Sequence, residues 1–525
     1  MAFKKYVADA DNTITNAYEG NLVTRGTGSN MGRSDILEVF SLYGQEASSS
    51  SELQRVLVKF PITDISTDRT NGVIPISGSV NFFLKLYNAP HAGQVPRNFE
   101  IHASAIEKDW QEGTGLDLDN YTDLTYDGEG SNWINAKSVN NTVTPWDSVG
   151  GDYHYDLNSS FTASFDTGLE DISIDVTTLV EQWINSAGNV LGSKNNYGFG
   201  LYLGKSYEAS ASQTAAIIDS NVIFNPDGAT KSYYTKKFFS RHSEFFFKRP
   251  CLEARWNSIK RDDRGAFFFS SSLAPAEDNM NTIYLYNYIR GTLRNIPTIE
   301  SHSDKIYVQL YSGSSDNSAP FGAPLDLVVD GTHVLSTSPT FITGGYVSTG
   351  IYSASFALTG TSDLTKVFDV WCSARGVTQY STGSIDTNTQ NGYGYTTSRK
   401  YVLSMPNLQK EYYKDQTARL RLYVRERDWC PNIYTKATTD VPAHLIPSAS
   451  YRVYRITDSY EVVAYGTGTF KHTGLSYDVS GNYFDLDMTS FEPGYQYGIK
   501  YSFKDENTST YYEQPYTFKF RVVEY

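Results

Sequence analysis

The chain has 525 residues, an apolar content of 40% and an aromatic content of 14%, so it can bury more than one core. Its formal net charge of −14 argues against a general nucleic-acid binder and against docking on an anionic membrane surface. The three cysteines, Cys251, Cys372 and Cys430, are far apart and odd in number, which excludes a disulfide scaffold and points to reduced, structural thiols.

The first residues, Met1 to Tyr6, carry no apolar run of the secretory kind, and no stretch approaches the ~20 apolar residues of a membrane span. The protein is therefore expected to fold in a cytoplasm, without signal peptide or membrane segment. Tyrosine accounts for most of the aromatic excess, with 41 residues. Tyrosine suits strands and amphipathic interfaces.

Residues 1–256 read as one all-β unit. Val56, Val58 and Phe60 alternate with Arg55, Leu57 and Lys59, and Phe82, Leu84 and Leu86 with Phe83, Lys85 and Tyr87. Phe199, Leu201 and Leu203 repeat the period-2 pattern, which places one face of each strand in a core. Long polar loops are expected over 41–52 and 112–160. One short helix is expected near 176–187: Val176, Leu179, Val180, Trp183 and Ile184 form an apolar stripe at the helical period. Asp175 is its expected N-cap and Gly188 its stop.

Residues 257–295 read as a connector, with a charged turn at Arg261-Asp262-Asp263-Arg264 and an apolar run at Phe267-Phe268-Phe269. Asn281 to Tyr288 could open the next unit. Over 296–400, Ile306, Val308 and Leu310, then Tyr352, Ala354, Phe356 and Leu358, then Phe368, Val370 and Cys372, predict an immunoglobulin-like sandwich of short strands. A second immunoglobulin-like sandwich is expected over 401–525. Leu420, Leu422 and Val424, and Phe484, Leu486 and Met488, share strand faces. Phe491-Glu492-Pro493-Gly494-Tyr495-Gln496-Tyr497 resembles the tyrosine corner of such sandwiches.

Little of the chain points to catalysis. No His pair has the spacing of a zinc helix, and no Gly-x-Ser-x-Gly elbow occurs. Gly204-Lys205-Ser206 hints at a phosphate loop, but Phe199 stands where the required Gly would be and no helix pattern follows; a strand ending in a turn is expected. Asp485 and Asp487 share one strand face, an arrangement that does not tune two carboxyls apart. No cofactor is expected. Calcium is the one cation the acidic loops could take, either at Asp9 with Asp11 or around Asp117, Asp119, Asp123, Asp127 and Glu129. Neither loop has the EF-hand pattern, so a solvated acidic loop is the expectation. Trp110, Trp133 and Trp146 lie in or beside the polar 110–160 region. They are candidate stacking plates for a polysaccharide, or else each closes a loop on the core.

Seven pieces in order carry a resemblance: Ala8 to Thr13, Asn30-Met31-Gly32 with Leu37-Glu38-Val39, Arg55 to Phe60, Asp109 to Gly113, Ile174 to Thr177 with Trp183, Asn196 to Phe199, and Phe239 to Ser243 with Arg249 to Leu252. Together they resemble a DNRLRE-type domain, a jelly-roll sandwich related to some carbohydrate-binding modules. His242 stands where an acid is more usual in that family. The resemblance implies a fold, and a glycan-facing ancestry, but no activity.

A second resemblance rests on Asn281 to Asn287, Arg425 to Trp429 and Leu475 to Leu486. These stretches resemble virion structural proteins of marine tailed phages of the T-even-like cyanophage type. The expectation is a non-enzymatic structural protein of the neck, tail or baseplate. Its partners would be other virion proteins and, through strand edges, copies of itself. The alternative is a glycan-binding adhesin that uses the first domain.

Overall fold

Period-2 patterning is realised as strands along almost the whole chain, and the fold is all-β with antiparallel sheets dominant. The computed structural model describes residues 2–524 apart from 48–49, 92, 117–128, 141, 186–191, 213–219, 302, 330–339, 360–363, 374–376, 391–399, 428–443, 467–469 and 506–507. No helix among the described residues is long and apolar enough to cross a membrane. The chain divides into two units, residues 2–257 and 258–525.

The first unit is a two-sheet sandwich. One sheet has four strands, Phe3–Val7, Cys251–Trp256, Val80–Leu86 and Ile172–Asp175 in spatial order. The other has seven, running from Tyr233–Phe239 through Ile36–Tyr43, Ser51–Lys59, Phe199–Leu203 and Phe99–Ala105 to Ser160–Phe165, with Ala10–Thr15 also paired to Ser51–Lys59. The first and last strands of the unit, Phe3–Val7 and Cys251–Trp256, are neighbours, with Phe3 opposite Arg255 and Val7 opposite Cys251. The main core lies between the sheets and includes Val56, Val58, Phe60, Phe82, Leu84, Leu86, Leu201 and Leu252.

Two helices pack at this core. The helix α1, Ile62–Thr70, was not expected: its only buried side chains are Ile62 and Ile65, too few for a helical stripe. The helix α2, Thr177–Ile184, is the expected one, and it buries Leu179, Val180 and Trp183. It starts one residue later than expected, with Val176 and not Asp175 at the N-cap; Asp175 precedes the cap, and its Oδ1 still accepts from the backbone N–H of Thr177 at 3.0 Å. Gly188, the expected stop, lies outside the described residues. Arg69 of α1 grips Glu181 of α2 through two bonds of 2.7 Å, and Glu181 is buried.

In the second unit, residues 257–295 are not a free connector. Phe267–Phe268 and Asn281–Tyr286 are the two end strands of an eight-stranded sheet. Phe267 and Phe269 are buried and Phe268 is exposed, which is strand alternation and explains the apolar run. Asn281 Nδ2 donates to Phe268 O at 2.8 Å and its Oδ1 accepts from Phe268 N at 3.0 Å, so the sheet curls until its end strands meet. Hydrogen bonding is therefore continuous from one layer to the other around a core of Ile306, Val308, Leu310, Tyr352, Phe356 and Trp371. Strand Lys366–Cys372 is buried on both faces. Val367 and Trp371 face that core, not Phe368, Val370 and Cys372 as patterning implied.

Residues 401–525 form a sandwich of a four-stranded and a six-stranded sheet. Leu420, Leu422, Val424, Phe484, Leu486, Ile499, Tyr501 and Phe503 are buried as expected. Tyr497 Oη donates to Glu492 O at 2.7 Å, the geometry of a tyrosine corner. The charged turn at 261–264 ties this sandwich to the preceding strands of its unit. Tyr477 Oη donates to Asp263 at 2.6 Å, and Arg264 holds Asp369 by two bonds of 2.6 and 2.7 Å.

Candidate functional site

Strand Ser51–Lys59 shows where the sequence reading fell short. Alternation predicts one buried face, but eight of its nine residues are buried. The face opposite the main core carries Leu53, Arg55 and Leu57. It is covered by side chains from the polar 110–160 region. A second core results, built from Ile14, Leu53, Leu57, Ile106, Trp110, Trp133, Trp146, Tyr153 and Tyr202.

This placement corrects the stacking-plate expectation. Trp110 is 5%, Trp133 0% and Trp146 5% exposed. Each indole N–H is bonded to a backbone carbonyl: Trp110 to Tyr197 at 2.7 Å, Trp133 to Asn221 at 2.8 Å, and Trp146 to Asn132 at 2.9 Å. A sugar stacks on an exposed ring face, and these faces pack against protein. The three tryptophans close loops on a core, the other reading that the sequence left open.

Arg55 lies inside this second core. Its Nη2 and Nε donate to Glu208 Oε1 at 2.7 and 3.1 Å, and its Nη1 to Gly150 O at 3.2 Å. The guanidinium also sits 5.0 Å from the ring of Tyr202 and 5.7 Å from those of Trp133 and Tyr153. Burial alone would lower the Arg55 pKa, but the Glu208 carboxylate together with Tyr153 and Tyr155 more than offsets it, and the net direction is upward. Burial pushes the phenol of Tyr153 upward against the opposing charge of Arg55. An always-charged arginine and a tyrosine held neutral are a structural pair and supply no proton donor or acceptor near neutral pH.

The described residues with the most perturbed carboxyl chemistry lie where three segments meet. Asp11 is fully buried in strand Ala10–Thr15. Its Oδ2 accepts from the backbone N–H of Arg241 at 2.6 Å, while Oδ1 has no hydrogen-bond partner. Glu112 Oε1 accepts from the Asp11 backbone N–H at 2.9 Å. Arg241 closes the group with two bonds of 2.6 Å to Glu112. Burial is the largest influence on Asp11 and pushes it up to about 7; the Arg241 N–H opposes this and the charge of Glu112 adds to it. Burial also raises Asp9. His242, the departure from the DNRLRE pattern, has Nε2 3.9 Å from Glu112.

The turn beside this group explains two quoted sequence pieces. Asn30 Oδ1 accepts from Gly115 N at 2.9 Å. A Cβ on Gly113 would come within 2.0 Å of that same Oδ1, and a Cβ on Gly32 within 2.1 Å of Gly113 O. Glycine is required at both places for the two turns to interlock.

Among the described residues no three His, Cys, Asp or Glu side chains are grouped to hold a metal ion. Asp117, Asp119 and Asp123, the candidate calcium ligands, lie outside the described residues, as does Asp127. Gly204-Lys205-Ser206 follows strand Phe199–Leu203 as a turn, with Tyr207 N bonded to Gly204 O at 2.7 Å. Asp485 is paired to Arg419 at 2.8 and 3.1 Å, and Asp487 accepts from Thr489 N at 3.0 Å. Cys251 and Cys372 are buried free thiols, and burial raises the Cys251 thiol to about 11.

Sequence patterning could not find the Asp11–Glu112–Arg241 group. Its members stand 101 and 129 positions apart, and only the fold brings them together. No protein-family model and no curated protein matches this chain.

Proposed function

We propose that the protein is a non-enzymatic structural component of a tailed-phage particle, in the neck, tail or baseplate, where it bridges other particle proteins. The observation that carries this reading is the contrast between interior and edge. Buried charges are paired inside the fold, as in Arg55–Glu208, Arg69–Glu181 and Arg264–Asp369. Large apolar side chains meanwhile stand exposed on strand edges and hairpins of residues 258–525. Among the described residues, strand Tyr511–Glu513 pairs on one side only, with Ser502 to Lys504, and its Tyr511 and Tyr512 are 58% and 52% exposed. Tyr288 and Ile289, on a short hairpin, and Phe321 are also exposed. Open strand edges and tyrosine-rich surfaces are what protein partners pair with. The phage assignment itself rests on the resemblance of Asn281 to Asn287, Arg425 to Trp429 and Leu475 to Leu486.

The test is immunogold labelling of purified particles with an antibody to residues 401–525. Label at one defined place on the particle is expected. Protein found free in lysate with unlabelled particles overturns the reading.

A further inference from the structure

Lys236 is 1% exposed, in a sandwich whose other interior positions near it are aromatic. Strand Tyr233–Phe239 places Lys236 and Phe238 two residues apart on one face. The ammonium nitrogen lies 5.0 Å from the centres of both the Phe165 and the Phe238 rings. It donates to Asn88 Oδ1 at 2.6 Å, and to the backbone carbonyls of Gly168 and Glu170 at 2.9 Å each. Asn88 follows strand Val80–Leu86, which belongs to the opposite sheet.

The backbone that carries the carboxamide is held as well. Asn88 N donates to Asp171 Oδ1 at 2.7 Å, and Ala89 N to Lys237 O at 3.0 Å. His91 Nε2 lies 3.3 Å from the same Asn88 Oδ1. Burial lowers the amine to about 8, with the charges of Glu170 and Asp171 opposing it. A neutral fraction of a normally charged lysine is a nucleophile.

We propose that Lys236 and Asn88 form an intramolecular amide cross-link that joins the two sheets. The ammonium that donates three bonds first loses to water the proton aimed at Asn88 Oδ1; the neutral Lys236 Nζ keeps its two carbonyl bonds and turns its lone pair on Asn88 Cγ, and a C–N bond forms as the carbonyl π electrons move to Oδ1. The His91 Nε2–H tautomer donates to that oxyanion. Collapse restores the carbonyl and breaks the Cγ–Nδ2 bond. Nδ2 leaves as ammonia, carrying the proton that Nζ gives up. One amine and one carboxamide thus become a secondary amide and ammonia, with no oxidant or co-reactant. Asp171 is a positioning residue, because it touches the Asn88 backbone and not the reacting atoms. The bond closes a loop between positions 148 apart, a constraint that stabilises by limiting the unfolded chain.

The experiment is the intact mass of the purified full chain, followed by a tryptic map. The expected result is a mass about 17 Da below that of the sequence, with one peptide that carries both Asn88 and Lys236. Full mass with the two peptides recovered separately overturns the cross-link. So does a gain of about 1 Da at Asn88, which marks hydrolysis of the carboxamide by water. Lys236→Arg, which keeps the charge, and Asn88→Ala must each remove the deficit, and a deficit that persists in either variant overturns the assignment. The wild-type mass decides the matter even if a variant fails to fold.

Discussion

Arg55 and Glu208 meet at 2.7 Å with side chains only 7% and 8% exposed, on the face of strand Ser51–Lys59 that turns away from the main core. Removing one partner strands a buried charge, which costs about 3–5 kcal/mol. Arg55→Met and Glu208→Leu are each expected to destabilise residues 2–257 by that amount. The double substitution to apolar residues should recover a large part of it. Urea denaturation of the four proteins, read from fluorescence of the buried tryptophans, checks the cycle.

Asp11 gives the first unit a pH dependence of definite sign. Its pKa rises from the ordinary 3.8 to about 7 on folding. Between these values the folded chain keeps a proton that the unfolded chain has released. Its contribution is therefore fullest below pH 4 and is lost as pH rises towards 7. Asp11→Asn removes that loss. The variant is expected to match the parent at pH 4 and to exceed it by on the order of 2–4 kcal/mol at pH 8. Denaturant midpoints measured across that range test the sign; a parallel pair of curves would refute it.

The three tryptophans predict a stability effect in place of a binding one. Trp133→Ala and Trp146→Ala each empty a site in the second core, at about 3–5 kcal/mol. Thermal unfolding should shift strongly for both. Trp133→Phe should fall between parent and alanine variant, because it keeps the ring but loses the bond to Asn221 O.

Tyr497→Phe removes one hydroxyl from the corner at Glu492 O and leaves the ring in its edge-to-face contact with Phe491. A loss of about 1–2 kcal/mol is expected, seen as a lower denaturant midpoint with an unchanged slope.

Tyr511→Ser with Tyr512→Ser tests the partner edge. Both side chains are exposed, so stability should change by less than about 0.5 kcal/mol for each. If this edge meets a particle protein, incorporation into purified particles should drop severalfold. Unchanged incorporation would move the contact to another surface.

Much of the fold was legible because period-2 alternation reports one-sided burial directly. It placed Leu420, Leu422 and Val424, and Ile306, Val308 and Leu310, in cores where they are found. The helical stripe marked α2, and the Phe491–Tyr497 pattern marked the tyrosine corner, since both are local codes. The helix α1 was not legible: Ile62-Thr63-Asp64-Ile65-Ser66-Thr67-Asp68-Arg69-Thr70 has two buried apolar residues, and Arg69 finds its carboxylate only on α2.

The sequence by itself determined that this protein is all-β, where its first large unit ends, and which residues line its main cores, because each of these depends on neighbours a few positions apart. Only the tertiary structure decided what the polar segment around Trp110, Trp133 and Trp146 does. It folds back over a strand face that alternation had assigned to solvent, and so the tryptophans became a second core. The pairings Arg55–Glu208, Asp11–Arg241 and Lys236–Asn88 span 153, 230 and 148 positions. Over such separations nothing local fixes one partner to the other. Their chemistry depends on desolvation, which exists only once the sheets have closed around them.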